Sequence, residues 1–189
     1  MKEVEGNKFY SKVMKKSGAV VGRESSHEGS VETAFQDFKY GLPEVAFDSG
    51  RTIALKQFEF CRVKLGIRLR YDGELDRSSV RTAAKTFIRE MLKREELAVT
   101  NPGEKYVPDV DQDIIDILNS CVGRSIRVSY GLTLQTAKKY ESEQADTGEE
   151  LPIDDGADIF LSFEALSDML AEEIADEHRR IKGGPPLVP

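Results

Sequence analysis

The 189 residues contain no tryptophan and only two histidines and two cysteines. Cys61 and Cys121 are far apart and have no CxxC or Cys/His spacing around them, which excludes a sequence-local zinc site and a disulfide framework. Each falls on an apolar periodic position, so both are expected as buried free thiols. His27 and His178 neighbour no nucleophile in a recognisable arrangement. The patterns GxxxxGK(S/T), GxGxxG after a strand and GxSxG are missing, which removes the phosphate-loop, dinucleotide and serine-hydrolase chemistries that need them. Asp109, Asp111 and Asp113 imitate the start of a calcium loop, but Ile114 stands where glycine is needed and Ser120 where glutamate is needed. Asp154, Asp155 and Asp158 surround a glycine and read as a turn leading into a helix. No metal or cofactor is expected.

Long apolar runs are lacking too. The first twenty residues carry Lys2, Lys8, Lys12, Lys15 and Lys16 without a continuous apolar stretch, so neither a signal peptide nor a membrane span is expected, and the cytoplasm is the expected compartment. At 39% hydrophobic residues the chain has enough apolar material for a core. Its net charge of -7 hides an asymmetry: residues 1–100 sum to plus four and residues 101–189 to minus eleven. A pI near 5.1 argues against indiscriminate nucleic-acid binding by the whole molecule but is compatible with a local basic surface.

Residues 1–29 lack a sustained apolar period and read as a mobile arm, helical near Phe9 to Met14. Val31 to Tyr40 reads as a short helix between Ser30 and Gly41. Alternation from Val45 to Leu55, a break around Lys56 to Glu59, and alternation again from Cys61 to Tyr71 describe a β-hairpin. Ser78 to Arg94 places Val80, Ala83, Ala84, Phe87, Ile88 and Met91 on one helical face. Asn101, Pro102 and Gly103 make a turn after which Tyr106 and Val107 are expected to pair back as a short strand. A helix follows from Asp109, with Gln112 at the capping-box position, then a strand through Ile126, Val128, Tyr130, Leu132 and Leu134. A last helix runs from Ser162 to a stop at Gly183 and Gly184.

The order helix, hairpin, helix thus occurs twice, about eighty residues apart. Gly50, Thr52, Ile53 and Leu55 match Gly131, Thr133, Leu134 and Thr136. Phe58, Glu59, Gly66 and Leu69 match Tyr140, Glu141, Gly148 and Leu151. Val80, Ala83, Phe87 and Met91 match Phe163, Leu166, Leu170 and Ile174. The expected fold is α+β, two diverged copies of a helix–β-hairpin–helix unit whose antiparallel hairpins are covered by helices. The units span 30–96 (basic) and 109–182 (acidic), with the arm at 1–29, a connecting turn or short hairpin at 97–108 and a tail at 183–189. This repeated pattern, a threonine, an aromatic followed by glutamate, then a glycine, resembles small hairpin-plus-helix proteins encoded by bacteriophages and their bacterial hosts, a resemblance that implies no specific activity.

Two surfaces stand out. Opposite the apolar set of the second strand, Phe58, Phe60, Arg62, Lys64, Gly66, Arg68 and Arg70 share one face. Aromatics that stack on bases beside cations that follow phosphates are what sequence-tolerant single-strand binding requires. The other reading is that Phe58 and Phe60 pack inward and leave an ordinary solvated face. On the following helix Arg77, Arg81, Lys85, Arg89 and Lys93 recur at four-residue spacing, where like charges repel by about 0.2–0.5 kcal/mol per pair. The equivalent positions of the last helix are acidic: Glu164, Asp168, Glu172 and Asp176. The expected function is non-enzymatic binding of single-stranded DNA or RNA through Phe58, Phe60, Arg62, Lys64, Arg68 and Arg70, with Arg81, Lys85 and Arg89 extending the track. The alternative is an assembly or adaptor module in which Glu164, Asp168, Glu172 and Asp176 meet the basic ridge of a second copy or a partner protein. Catalysis from residues scattered along the chain leaves no local motif and stays open.

Overall fold

The computed structural model describes residues 7–16, 19–28, 42–56, 59–101, 103–135 and 141–183. The elements are β1 (Asn7–Lys16), β2 (Ala19–Glu28), β3 (Glu44–Lys56), β4 (Glu59–Arg70), α1 (Arg77–Thr100), α2 (Gln112–Asn119), β5 (Gly123–Gln135), β6 (Glu141–Ile153) and α3 (Ile159–Ile181). The protein is α+β: one antiparallel sheet in the order β2-β1-β6-β5-β4-β3, packed against α1 and α3 on one face. Among the described residues no helix is long and apolar enough to cross a membrane.

Period-two alternation explains the layering. On β4, Cys61, Val63, Leu65, Ile67 and Leu69 are buried, and on β5 so are Ile126, Val128, Tyr130, Leu132 and Leu134. These sets share the face that meets Val80, Ala83, Phe87 and Met91 of α1 and Phe163, Leu166, Leu170 and Ile174 of α3. Phe87 joins the two helices, edge-on to Phe160 and Phe163 with ring centroids 5.0 and 5.9 Å away. Each buried Val, Leu, Ile, Phe or Met side chain of this set contributes about 1.5–3 kcal/mol.

Both long helices start at an aspartate that caps free amides. Asp76 accepts from the Ser79 amide at 2.9 Å, and Asp158 from those of Phe160 and Leu161 at 2.7 and 3.0 Å. The aspartate-glycine cluster at 154–158 therefore ends in an N-cap, and α3 begins three residues before Ser162.

Four expectations are corrected. Residues 7–16 and 19–28 are strands, so the stretch from Phe9 to Met14 is extended rather than helical, and β1 pairs along β6. α1 runs through Thr100, past Arg94 and into the stretch assigned to a connector, because nothing before Pro102 breaks it. Tyr106 and Val107 form no strand: the Tyr106 hydroxyl donates to Glu90 at 2.6 Å, which anchors the loop on α1. Gln112 makes no capping box; α2 begins at that residue, and its side chain bonds Asp116 one turn on.

The order hairpin then helix recurs as β3, β4, α1 and β5, β6, α3, yet the two hairpins form one continuous meander through the β4–β5 pairing. The expected helix from Val31 to Tyr40 lies outside the described residues.

Candidate ligand-binding face

The sheet face away from α1 and α3 carries the polar positions of β4. Phe60 is 37% exposed, Lys64 is exposed, and Arg62, Arg68 and Arg70 are half-buried. They occupy one face, as their alternation requires. Phe58 lies outside the described residues.

Register brings neighbours that β4 alone does not reveal. Arg62 faces Thr52 on β3 and Gly131 on β5, and Gly131 faces Asp146 on β6. With no side chain at Gly131, the Arg62 guanidinium reaches across β5 and donates to Asp146 at 2.9 Å. A Cβ at Gly131 would fall 2.2 Å from the Asp146 Oδ1 atom and 3.0 Å from the Arg62 Nε atom. Gly66 makes room for Asp48 in the same way, where a Cβ would sit 2.1 Å from its carboxylate. At Gly50 the neighbour is backbone: a Cβ would meet the Val63 carbonyl oxygen at 2.8 Å. These glycines lower the middle of the sheet into an open trough of about 840 Å³, lined by Asp48, Arg62, Lys64, Arg127, Ser129 and Asp146 among others.

The face is therefore mixed in charge. Arg70 bonds Glu44 at 3.0 Å, and Arg68 lies 3.6 Å from Glu44 and 4.0 Å from Glu150. Lys64, between Gly50 and Ser129 in register, has no ion pair among the described residues. Asp48, Arg127, Asp146 and Glu150 were not identified from sequence because their place depends on strand register. The only local signal is the alternation of small and charged residues through Arg127, Ser129 and Gly131.

The α1 cations lie elsewhere. Arg81 and Arg89 are exposed and Lys85 half-buried in the helix layer, across the sheet from the trough, so they do not continue the β4 track. Lys93 is held within the helix by Glu90 at 2.5 Å. Burial by itself would push the Glu90 carboxyl up, but the hydrogen bonds from Lys93 and Tyr106 outweigh it and hold it below its ordinary value. The acidic positions of α3 do not meet the α1 ridge. Arg94 takes Asp168 at 3.0 Å and Glu164 at 3.7 Å, Asp176 pairs with Arg179, and Glu172 is exposed.

Beneath the sheet, α1, β5 and α3 share a buried polar cluster. The Tyr130 hydroxyl donates to Glu95, which is 3% exposed, and lies 2.7 Å from the Ser167 hydroxyl. Arg94 donates to Glu95 at 2.5 Å. Burial, reinforced by Glu95, pushes the Tyr130 phenol well above its ordinary range and keeps it a donor. The Tyr130 hydroxyl, Glu95, Arg94 and Ser167 meet on the helix side of the sheet, and the cluster joins the two long helices to it. Among the described residues no group of histidine, cysteine, aspartate and glutamate side chains is arranged to hold a metal.

Comparison of the chain with protein-family models, with curated proteins and with solved structures gives no match.

Proposed function

We propose that the helix-free face binds single-stranded nucleic acid, without catalysis. The observation that supports this reading best is the trough itself: an exposed cation, Lys64, flanked by Arg62 and Arg127 over a glycine-lowered floor, with the exposed Phe60 ring on the same strand face. A base can stack on that ring while the cations follow the phosphates. Twelve residues of β4 give a track of roughly 40 Å. The carboxylates do not defeat the reading. The Arg62–Asp146 pair is about one-third exposed at both ends, and such pairs are worth about 0–1 kcal/mol, so a phosphate can displace Asp146 at small cost. Asp48 and Asp146 would keep binding weak at high salt and selective against indiscriminate polyanions.

On the same reading β3, β4, α1 and β5, β6, α3 are diverged copies, of which the first kept the basic strand. The assembly alternative, in which opposite ridges of neighbouring copies associate, has less charge available, since Arg94 already engages Glu164 and Asp168.

The test is an anisotropy titration with a labelled oligothymidylate at several salt concentrations. Engagement of Arg62, Lys64 and Arg127 predicts a log–log salt slope of about -2. Lys64→Glu should flatten it by about one, and Phe60→Ala should weaken binding by about 1–3 kcal/mol at every salt concentration. Association that is absent at low salt, or unchanged by both substitutions, would rule the reading out.

A further inference from the structure

Two features remain that the trough does not use. The first is the outer side of β3. Among the described residues this thirteen-residue strand pairs with β4 alone, so its other row of amides and carbonyls has no strand partner. A long unpaired edge is a template for another extended chain. The second is the ridge of Arg81, Lys85 and Arg89, none of which has an ion pair among the described residues.

These two features adjoin. Arg51 of β3 bonds Glu96 of α1, so the flank of α1 that bears Glu96 overlooks the β3 edge. At about 100° per residue, Arg89 and Lys85 lie within about 20° of Glu96 around the helix and Arg81 within about 60°. Among the described residues these unpaired cations therefore share the flank of α1 whose Glu96 is bonded by Arg51 of β3, the strand with the free edge. Their spacing also suits a strand: residues four apart on a helix are about 6 Å apart along its axis, and alternate residues of a strand about 6.7 Å.

We propose that the β3 edge takes up an extended acidic peptide segment of a partner protein as an added strand, with Arg81, Lys85 and Arg89 pairing with carboxylates on alternate residues. The backbone ladder would supply affinity and the ridge would supply selectivity for acidic sequence. A second copy of this chain is the poorer occupant. Pairing two β3 edges about a twofold axis would set the two basic ridges against each other, and like charges so placed repel. The ridge thus also guards the edge against self-association.

The experiment uses the full chain and two short peptides: one of alternating threonine and glutamate, and one with the same charges but interrupted by prolines, which cannot form a ladder. The alternating peptide should bind in low salt and slow amide hydrogen exchange between Ala46 and Ala54. The proline peptide should bind about tenfold more weakly or worse, and so should the alternating peptide with the Lys85→Glu, Arg89→Glu double variant. Melting temperature verifies that the variant is folded, and the peptide comparison on the unaltered chain does not depend on it. The proposal is overturned by no binding, by equal binding of both peptides, by protection away from β3, by concentration-dependent dimerisation through the same amides, or by an oligonucleotide that displaces the peptide from the ridge. Failure here would leave the trough reading standing, because the substituted residues Lys85 and Arg89 do not line the trough.

Discussion

Replacing Tyr130 with phenylalanine removes one oxygen from the cluster that joins both long helices to β5. Glu95 then loses its phenolic donor and keeps Arg94, while Ser167 loses the hydroxyl 2.7 Å away. Glu95 is 3% exposed and Ser167 fully buried, so water does not replace what is lost. A hydrogen bond to a charged group contributes about 1.5–3 kcal/mol, and the cost is expected near the upper half of that range because a second partner is also left short. In a protein of this size that corresponds to a fall in Tm of about 4–10 °C. Urea unfolding of the variant should give a lower midpoint with an unchanged slope. Tyr106→Phe is the matched control: it also removes a tyrosine donor to a glutamate, but at a half-buried loop residue that water reaches, and should cost under about 1 kcal/mol. Equal losses in the two variants, or a loss under about 0.5 kcal/mol for Tyr130→Phe, would refute the assignment of the cluster as a buried, mutually dependent unit. A double-mutant cycle with Glu95→Gln should give a coupling of about 0.5–3 kcal/mol.

Gly50 and Gly131 should respond differently to alanine. Gly50→Ala drives a methyl against the Val63 carbonyl oxygen, which cannot move without the strand, and should destabilise by about 1–3 kcal/mol. Gly131→Ala meets the movable ends of Asp146 and Arg62, so the unfolding free energy from urea titration should fall by less than about 1 kcal/mol while oligonucleotide affinity changes. Burial pushes the thiols of Cys61 and Cys121 up to about 11 from an ordinary value near 9, although Arg62 and Arg124 act in the opposite direction. Because the folded-state values are the higher ones, this contribution to stability is fully present below pH 9 and is lost as the pH rises toward 11, by up to about 2–3 kcal/mol per thiol. Urea midpoints should therefore drop across that window and drop less in a Cys61→Ala, Cys121→Ala variant. A midpoint that stays level to pH 10.5 would contradict the burial of both thiols.

The layering was legible wherever alternation was strong. Val63, Leu65, Ile67 and Leu69 against Arg62, Lys64, Arg68 and Arg70 fixed both faces of β4, and the Phe87 and Phe163 faces of the helices followed from their 3.6-residue period. Residues 7–16 and 19–28 did not read as strands because β1 mixes apolar and polar residues on both faces, Phe9 and Val13 on one and Tyr10 and Met14 on the other, and β6 offered only Ala145 and Ile153 as buried apolar residues. The trough was half legible. Its β4 cations come from local pattern, but Asp146 and Arg127 reach them only through the β4–β5–β6 register, which no single strand encodes. The expected joining of the α1 ridge to the β4 track failed for a geometric reason: a helix that buries Val80 and Phe87 on the sheet must turn Arg81, Lys85 and Arg89 away from the sheet's far face.

Binding is proposed on the helix-free face of the sheet and not on the helix layer. Backbone nitrogen–proton correlation spectra of the full chain, titrated with oligothymidylate in low salt, address it residue by residue. Progressive shifts are expected at Phe60, Arg62, Lys64, Ser129 and Gly131, reversed by added salt, with Arg81, Lys85 and Arg89 unmoved. Shifts confined to α1, or none at a saturating oligonucleotide concentration, would contradict it.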